Sequence, residues 1–225
     1  MKVQIIGHRG AAGLAPENSL AAIKTALTLG VAYIEIDVRK TKDNQLVICH
    51  DNNLERMSGQ PIKISEATLA QLQSVKLLDG SHLLSLQEAL ALIGKTPTIL
   101  DIKDYGCARV LTNLLQEFPG ASISVASFKF GELAHIGELS PSLPLYGLEQ
   151  TKPLDILHAA KVFGFSGIGL NHWLLNPLTY WRARLQKLDI YVYTVNSPLI
   201  FWFIRFFYPR VHICSNYPNR FIHHR

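Results

Sequence analysis

Cysteine is scarce in this 225-residue chain. The three that occur, Cys49, Cys107 and Cys214, are odd in number and widely spaced. That argues against a disulfide framework or a structural zinc site, and a reducing, cytoplasmic setting is expected. Long apolar runs are missing as well. No stretch of about 18 uncharged apolar residues exists, so no transmembrane helix is expected. One lysine precedes the apolar run Val3–Ile6, which reads as an immediate strand without a signal-peptide layout. Dense Lys or Arg runs are also lacking, although the net charge is +5. The charge allows a phosphate compound, nucleic acid or an anionic membrane face as partner. Its scatter favours ordinary solvated surface, so no nucleic-acid partner is expected. There is no internal repeat, no low-complexity tract and no Gly-rich dinucleotide fingerprint.

What is present is a regular alternation. An apolar fraction of 48% and a charged fraction of 17% describe a globular chain, and its length suits one sizeable core. Residues 1–225 are therefore expected to form a single domain. Strand patterns fall at Val3–His8, Tyr33–Val38, Thr98–Lys103, Ser122–Ser127, Leu145–Glu149, Gly167–Asn171, Ile190–Asn196 and Val211–Ser215. Helical patterns fall between them, at Ser19–Leu29, Leu86–Ile93, Cys107–Phe118, Gly131–Leu139, Leu154–Phe163, Pro177–Leu188 and Pro198–Phe207. Strictly alternating βα units imply parallel strands, and eight of them point to a closed TIM (β/α)8 barrel. An open doubly wound sheet is the competing fold.

One segment breaks the rhythm. After a short extra strand at Gln45–Cys49, residues 52–85 form an insertion between the second barrel strand and its helix, with a helix expected near Glu66–Val75. Insertions there lie over the catalytic end of a barrel. A second oddity is Leu199–Phe207, interrupted only by Arg205. A helix apolar all round should be buried, unlike an outer barrel helix. Three readings stay open: packing under another element, a dimer contact, or a peripheral membrane contact. The tail Arg220–Arg225 is expected to fray.

The chemistry concentrates near the start. Side chains alternate along a strand, so Glu35 and Asp37 share a face. Two carboxylates there repel unless a cation neutralises them. Asp101 and Lys103 share a face in the next barrel strand. Glu35, Asp37 and Asp101 thus form a plausible oxygen site for Mg²⁺ or Ca²⁺, with solvated strand-end charges as the bland alternative. His8 and His50 each end a strand, and two imidazoles suit acid–base exchange near neutral pH. Arg9, between glycines, offers a planar fork to a phosphate, and Lys103 adds a second positive charge. Asp51 reads as a turn cap after His50. The other histidines lack such company and read as structural or exposed.

Longer motifs surround these residues. His8-Arg9-Gly10 followed by Pro16-Glu17-Asn18-Ser19 resembles the HRG and PEN(T/S) signature of the glycerophosphodiester phosphodiesterase family. Tyr33-Ile34-Glu35-Ile36-Asp37-Val38 resembles its IE-x-DV strand. Thr41-Lys42-Asp43, Leu46-Val47 and His50-Asp51 resemble its T-x-D…V-x-HD stretch. Leu86-Gln87-Glu88-Ala89-Leu90 and Thr194-Val195-Asn196 resemble later family segments. The resemblance covers essentially the whole chain. It implies a TIM barrel with one divalent cation that hydrolyses glycerophosphodiesters, such as deacylated phospholipids, to sn-glycerol 3-phosphate and an alcohol. It also implies His8 and His50 as the acid–base pair, Glu35, Asp37 and Asp101 as metal ligands, and Arg9 and Lys103 as phosphate binders. Three positions depart from the pattern. Asp101 stands where glutamate is usual in an E-I-K motif, Tyr193 where tryptophan precedes TVN, and Asn216 where a TD-x-P motif carries aspartate. Two alternatives follow. One is a lipid-directed phosphodiesterase, of lysophospholipase D or phosphoinositide phospholipase type, motivated by Leu199–Phe207. The other is a non-catalytic binding module, motivated by the three departures.

Overall fold

In the computed structural model, which describes residues 3–224, each strand turns one set of alternate side chains inward and the other outward. Ile34, Ile36 and Val38 join the large core between strands and helices. Ile6, Ile99, Ala126, Leu148, Tyr191 and Cys214 fill the barrel interior instead. The elements run β1 Ile5–Gly7, α1 Leu20–Leu29, β2 Tyr33–Lys40, β3 Leu46–Ile48, α2 Glu55–Ser58, α3 Leu69–Ser74, α4 Leu86–Ile93 and β4 Thr98–Ile102. They continue with α5 Ala108–Leu115, β5 Ile123–Ser127, α6 Phe130–Leu139, β6 Leu145–Glu149, α7 Asp155–Phe163 and β7 Gly167–Asn171. The chain finishes with α8 Pro177–Leu185, β8 Asp189–Tyr193, α9 Pro198–Phe207 and β9 His212–Ser215.

Among the described residues the strand order is β1-β9-β8-β7-β6-β5-β4-β2-β3, and β1 also pairs with β2. That last pairing closes eight parallel strands into a TIM barrel, leaving β3 antiparallel on the rim of β2. The expected extra strand is thus a flap on the barrel rather than a stave. The register sets Asp37 of β2 beside Asp101 of β4.

Local chemistry explains the boundaries. Ala22 N–H donates to the Ser19 side chain at 3.1 Å, and Gly30 adopts the left-handed conformation at the other end of α1, φ 67°. The helix expected over 66–75 is divided. A 3-10 turn at Ile64–Glu66 gives way to extended Ala67 and Thr68, and Thr68 restarts the chain as α3 through a capping box with Gln71. Lys187 at φ 59° ends α8 before Leu188. The insertion has its own small core, built from Val47, Cys49, Leu54, Ile64, Leu72 and Leu83 with the smaller Ala67 and Val75, and Met57, Ile62 and Leu69 pack against it.

Of the three readings of Leu199–Phe207 the structure removes one, packing under another element, and the expectation for the tail fails. The α9 helix is buried on one face only. Phe201 and Ile204 are covered, whereas Leu199, Trp202, Phe203, Phe206 and Phe207 are exposed. The spacing of those five, at i, i+3, i+4, i+7 and i+8, makes an amphipathic outer barrel helix whose outward stripe happens to be apolar. The tail does not fray over its described length. Phe221 and Ile222 are buried, and the Phe221 ring stacks on Phe201 at 4.6 Å. Burying two apolar side chains offsets the ordering entropy that frays a polar end. Arg225, also in that expectation, lies outside the described residues. Among the described residues the three cysteines are free and buried, and no helix is long and apolar enough to cross a membrane.

Candidate active site

At the C-terminal end of β1 the backbone makes a tight reversal. Arg9 (φ 50°) and Gly10 (φ 84°) both lie in the left-handed region. A side chain on Gly10 would meet Ala22 backbone carbon at 2.7 Å, so glycine is needed where the loop crosses α1. The turn aims Arg9 N–H at Glu35 Oε2, at 2.8 Å. His8 follows the last residue of β1 and projects into the barrel mouth, its Nε2 3.9 Å from Glu35 Oε2.

Glu35, Asp37 and Asp101 meet there. All three are buried, and each offers an oxygen within 4.8 Å of the others. A buried unpaired carboxylate costs of the order of several kcal/mol, so the surroundings must compensate. For Asp37 they do so fully. Lys103 Nζ lies 2.8 Å from Oδ1, Arg9 Nε lies 3.1 Å from Oδ2, and Asn18 Nδ2 donates to Oδ2 at 2.8 Å. Asp37 N–H returns a bond to Asn18 Oδ1 at 3.1 Å. Burial pushes the Asp37 carboxyl up, but Lys103 and Arg9 outweigh it and hold the group at about 2. The other two are less well served. Burial, and then the Asp37 charge, lifts Glu35 to about 8. Burial, with Asp37 and Glu35 adding to it against Lys103, lifts Asp101 to about 7. Lys103 also pairs closely with Asp101 Oδ2, while Asp101 Oδ1 is buried with no hydrogen-bond partner among the described residues. A cluster of hard oxygens that resists full ionisation, with one acceptor unpaired, is what a divalent cation would complete. Three carboxylates stand against two basic side chains, so a divalent ion and one phosphodiester anion would bring the site to neutrality.

The histidines are each oriented from behind. His8 Nδ1 donates to Asn216 Oδ1 at 2.5 Å, leaving Nε2 toward Glu35. Asn216 is held in turn by its own N–H donating to Asn196 Oδ1 at 3.0 Å. Burial, and next the Arg9 charge, lowers the His8 pKa below 6.5. His50 Nδ1 donates to Asp51 Oδ1 at 2.8 Å. Asp51 is therefore more than the turn cap expected of it, because its other oxygen accepts from Arg56 Nε at 2.6 Å. Arg56 Nη2 also donates to Glu17 Oε1 at 2.6 Å, and Glu17 Oε1 accepts from Arg9 Nη1 at 3.0 Å. A continuous chain of charges thus links the insertion to the carboxylate cluster. The Arg56 hydrogen bond to Asp51 is the main cause holding the Asp51 carboxyl below its ordinary value.

A cavity of about 170 Å³ joins these parts. His8, Arg9, Glu35, His50, Asp101 and Lys103 line it, and Asp37 supports them from beneath. The structure thus brings all seven expected residues to one place. Four wall residues were not anticipated. Phe128, Leu148, Tyr191 and Tyr193 give the cavity an apolar side, and Lys103 Nζ lies 5.9 Å from the Phe128 ring centroid. Their signal was their position at inward-facing strand ends. Asn18 and Asn216 stood in family motif positions without a contact being foreseen for them, and Arg56 carried no signal, since all three act on partners that the fold brings to them.

A model of the glycerophosphoryl diester phosphodiesterase family matches residues 8–215. The Bacillus subtilis protein YhdW is 30% identical over 212 residues, covering 86% of each chain. The glycerophosphodiester phosphodiesterase of Caldanaerobacter subterraneus subsp. tengcongensis is 27% identical over 175 residues, 71% of this chain and 72% of its own. Among solved structures, an Oleispira antarctica phosphodiesterase in complex with the product sn-glycerol-3-phosphate superposes with a TM-score of 0.90. It is 21% identical and covers 96% of this chain and 94% of its own. At that identity the likeness is one of fold.

Proposed function

The chain belongs to the glycerophosphoryl diester phosphodiesterase family, and from that premise we propose that it hydrolyses glycerophosphodiesters to sn-glycerol 3-phosphate and an alcohol by divalent-cation-assisted acid–base catalysis. It is an enzyme of the phosphoric diester hydrolase class. The observation that carries the reaction chemistry is the shared cavity, which two separately oriented imidazoles line together with Glu35, Asp101, Arg9 and Lys103.

Glu35, Asp37 and Asp101 would hold the cation, Mg²⁺ or Ca²⁺ by the hardness of their oxygens. Bound there, the ion supplies positive charge to the phosphoryl oxygens. Arg9 and Lys103 orient the phosphate and meet its developing charge. His8 is the base. Its lowered pKa keeps it neutral near pH 7, and with Nδ1 donating to Asn216 its Nε2 lone pair takes the proton of the nucleophile. With water as nucleophile the monoester forms directly; with the glycerol hydroxyl beside the phosphate a cyclic phosphate forms as the alcohol leaves, and a water molecule must then add to phosphorus and break one ring P–O bond to give sn-glycerol 3-phosphate. His50 is the acid. Asp51 fixes its Nδ1, and Nε2 gives its proton to the leaving alkoxide as the P–O bond breaks.

A turnover panel of glycerophosphocholine, glycerophosphoethanolamine and glycerophosphoglycerol, each with Mg²⁺, Ca²⁺ and EDTA, tests this reading. Release of sn-glycerol 3-phosphate with metal supports it. No turnover of any of the three with any metal counts against it and favours the binding-module alternative. Asn216 offers a finer check on the base. Asn216→Asp places a carboxylate against His8, which favours the imidazolium and keeps the base protonated to higher pH. The acidic limb of the kcat/KM profile should move up by about one pH unit or more. An unmoved limb would take the base role from His8.

A further inference from the structure

The chain's charge is divided unevenly between its two parts. Residues 156–225 hold eight Lys or Arg and a single acid, Asp189, so the first 155 residues are slightly acidic although the whole is +5. The same stretch displays the largest apolar surface. All three tryptophans, Trp173, Trp181 and Trp202, are at least half exposed. Beside them stand Leu199 at 82% and Phe206 at 78% exposure, values that no packed side chain shows. Trp173, Leu199 and Phe203 also border an apolar groove of about 410 Å³ between α9 and the segment after β7.

The groove is close to the chemistry. His172, which lines it, directly follows Asn171 at the C-terminal end of β7. Asn171 pairs in register with Tyr193, and Tyr193 lines the catalytic cavity. The α9 helix begins five residues after Tyr193. Its apolar stripe therefore starts at the catalytic rim and runs down the side of the barrel. Bearing the stripe toward solvent is unfavourable for a protein that stays in water.

From this juxtaposition we infer that α9, with Trp173 beside it, is a docking surface for an anionic lipid bilayer. A helix lying in the interface plane, aromatic on its lower side and flanked by positive charge, suits the boundary between acyl chains and acidic headgroups. Tryptophan suits that depth because its ring is apolar and its N–H stays solvated. Charge argues against a second copy as the occupant. Two such surfaces face to face would oppose positive patches, whereas an acidic bilayer complements them. The docked enzyme would hold its catalytic rim at the membrane surface. The proposal goes beyond the catalytic reading above and does not rest on it.

Co-sedimentation tests it, using the full chain with phosphatidylcholine vesicles, alone or mixed with phosphatidylglycerol. Binding to the mixed vesicles is expected, with a blue shift of tryptophan emission, since Trp202 is exposed on α9 and Trp173 borders the groove beside it. Added salt should weaken it. The double variant L199S/F206S should bind about tenfold more weakly or worse, and the charge variant R205E/R210D should lose its preference for the acidic vesicles. Both should keep their turnover of soluble glycerophosphocholine and their melting temperature. Single F206S serves if the double variant melts early. Any of four results overturns the proposal: no binding to the mixed vesicles, equal binding to both vesicle types, binding untouched in L199S/F206S, or a lipid-free dimer that L199S/F206S dissociates. Because vesicle binding and turnover are read separately, an inactive protein that binds and an active one that does not are told apart.

Discussion

Exchange of His50 for alanine should lower kcat/KM on glycerophosphocholine by about 10²–10⁴-fold, and exchange of His8 by a comparable factor. The two losses have different origins. On the proposed mechanism, His8→Ala would remove the acceptor for the nucleophile's proton, and His50→Ala would leave the alkoxide to depart without one. Losing both should cost far less than the product of the single losses, because each step is useless without the other. Neither change should unfold the protein, since His8 is a rim residue and His50 is only half-buried. Cation binding, followed by calorimetry, should survive His50→Ala because no contact joins that ring to the carboxylate cluster. Turnover of His50→Ala at the unaltered rate would dissolve the acid–base pair.

Removal of divalent cations should have an effect at least as large. EDTA should abolish turnover, and Mg²⁺ or Ca²⁺ should restore it. A sharper form of the prediction comes from the carboxyls. Without the cation, Glu35 titrates at about 8 and Asp101 at about 7, both raised chiefly by burial. A raised pKa means that the group holds its proton at pH values below it, and an arriving cation must expel that proton. Cation affinity should therefore rise with pH. The slope should approach about 100-fold per pH unit well below pH 7, where two protons leave, and flatten above about pH 8, where none remain. Calorimetry in buffers of different ionisation enthalpy counts those protons. A flat affinity between about pH 6 and about pH 8 would place the ion elsewhere.

Much of this molecule was legible before folding. The barrel follows from eight strand patterns separated by seven amphipathic ones, because no other common arrangement of strictly alternating units closes at this length. The carboxylate cluster follows from strand alternation, which put Glu35 and Asp37 on one face and Asp101 and Lys103 on another. Local rules succeed where the cause is local. They fail where the partner lies far along the chain. Asn18 locking Asp37, Arg56 bridging Asp51 to Glu17, and Asn216 holding His8 are bonds that only the closed barrel creates. The α9 helix shows the opposite limit. Its composition left burial, a dimer contact and a membrane contact open, and a barrel helix has only one face to bury, so here the other stayed greasy.

Barrel closure has a further consequence during synthesis. His8 leaves the ribosome more than two hundred residues before the amide that aims its ring. The β1–β9 seam that unites them is among the last to form on a growing polypeptide. A chain terminated before β9 would thus present His8 without the Asn216 contact that orients its ring. On the proposed mechanism, turnover would wait for synthesis through the final strand.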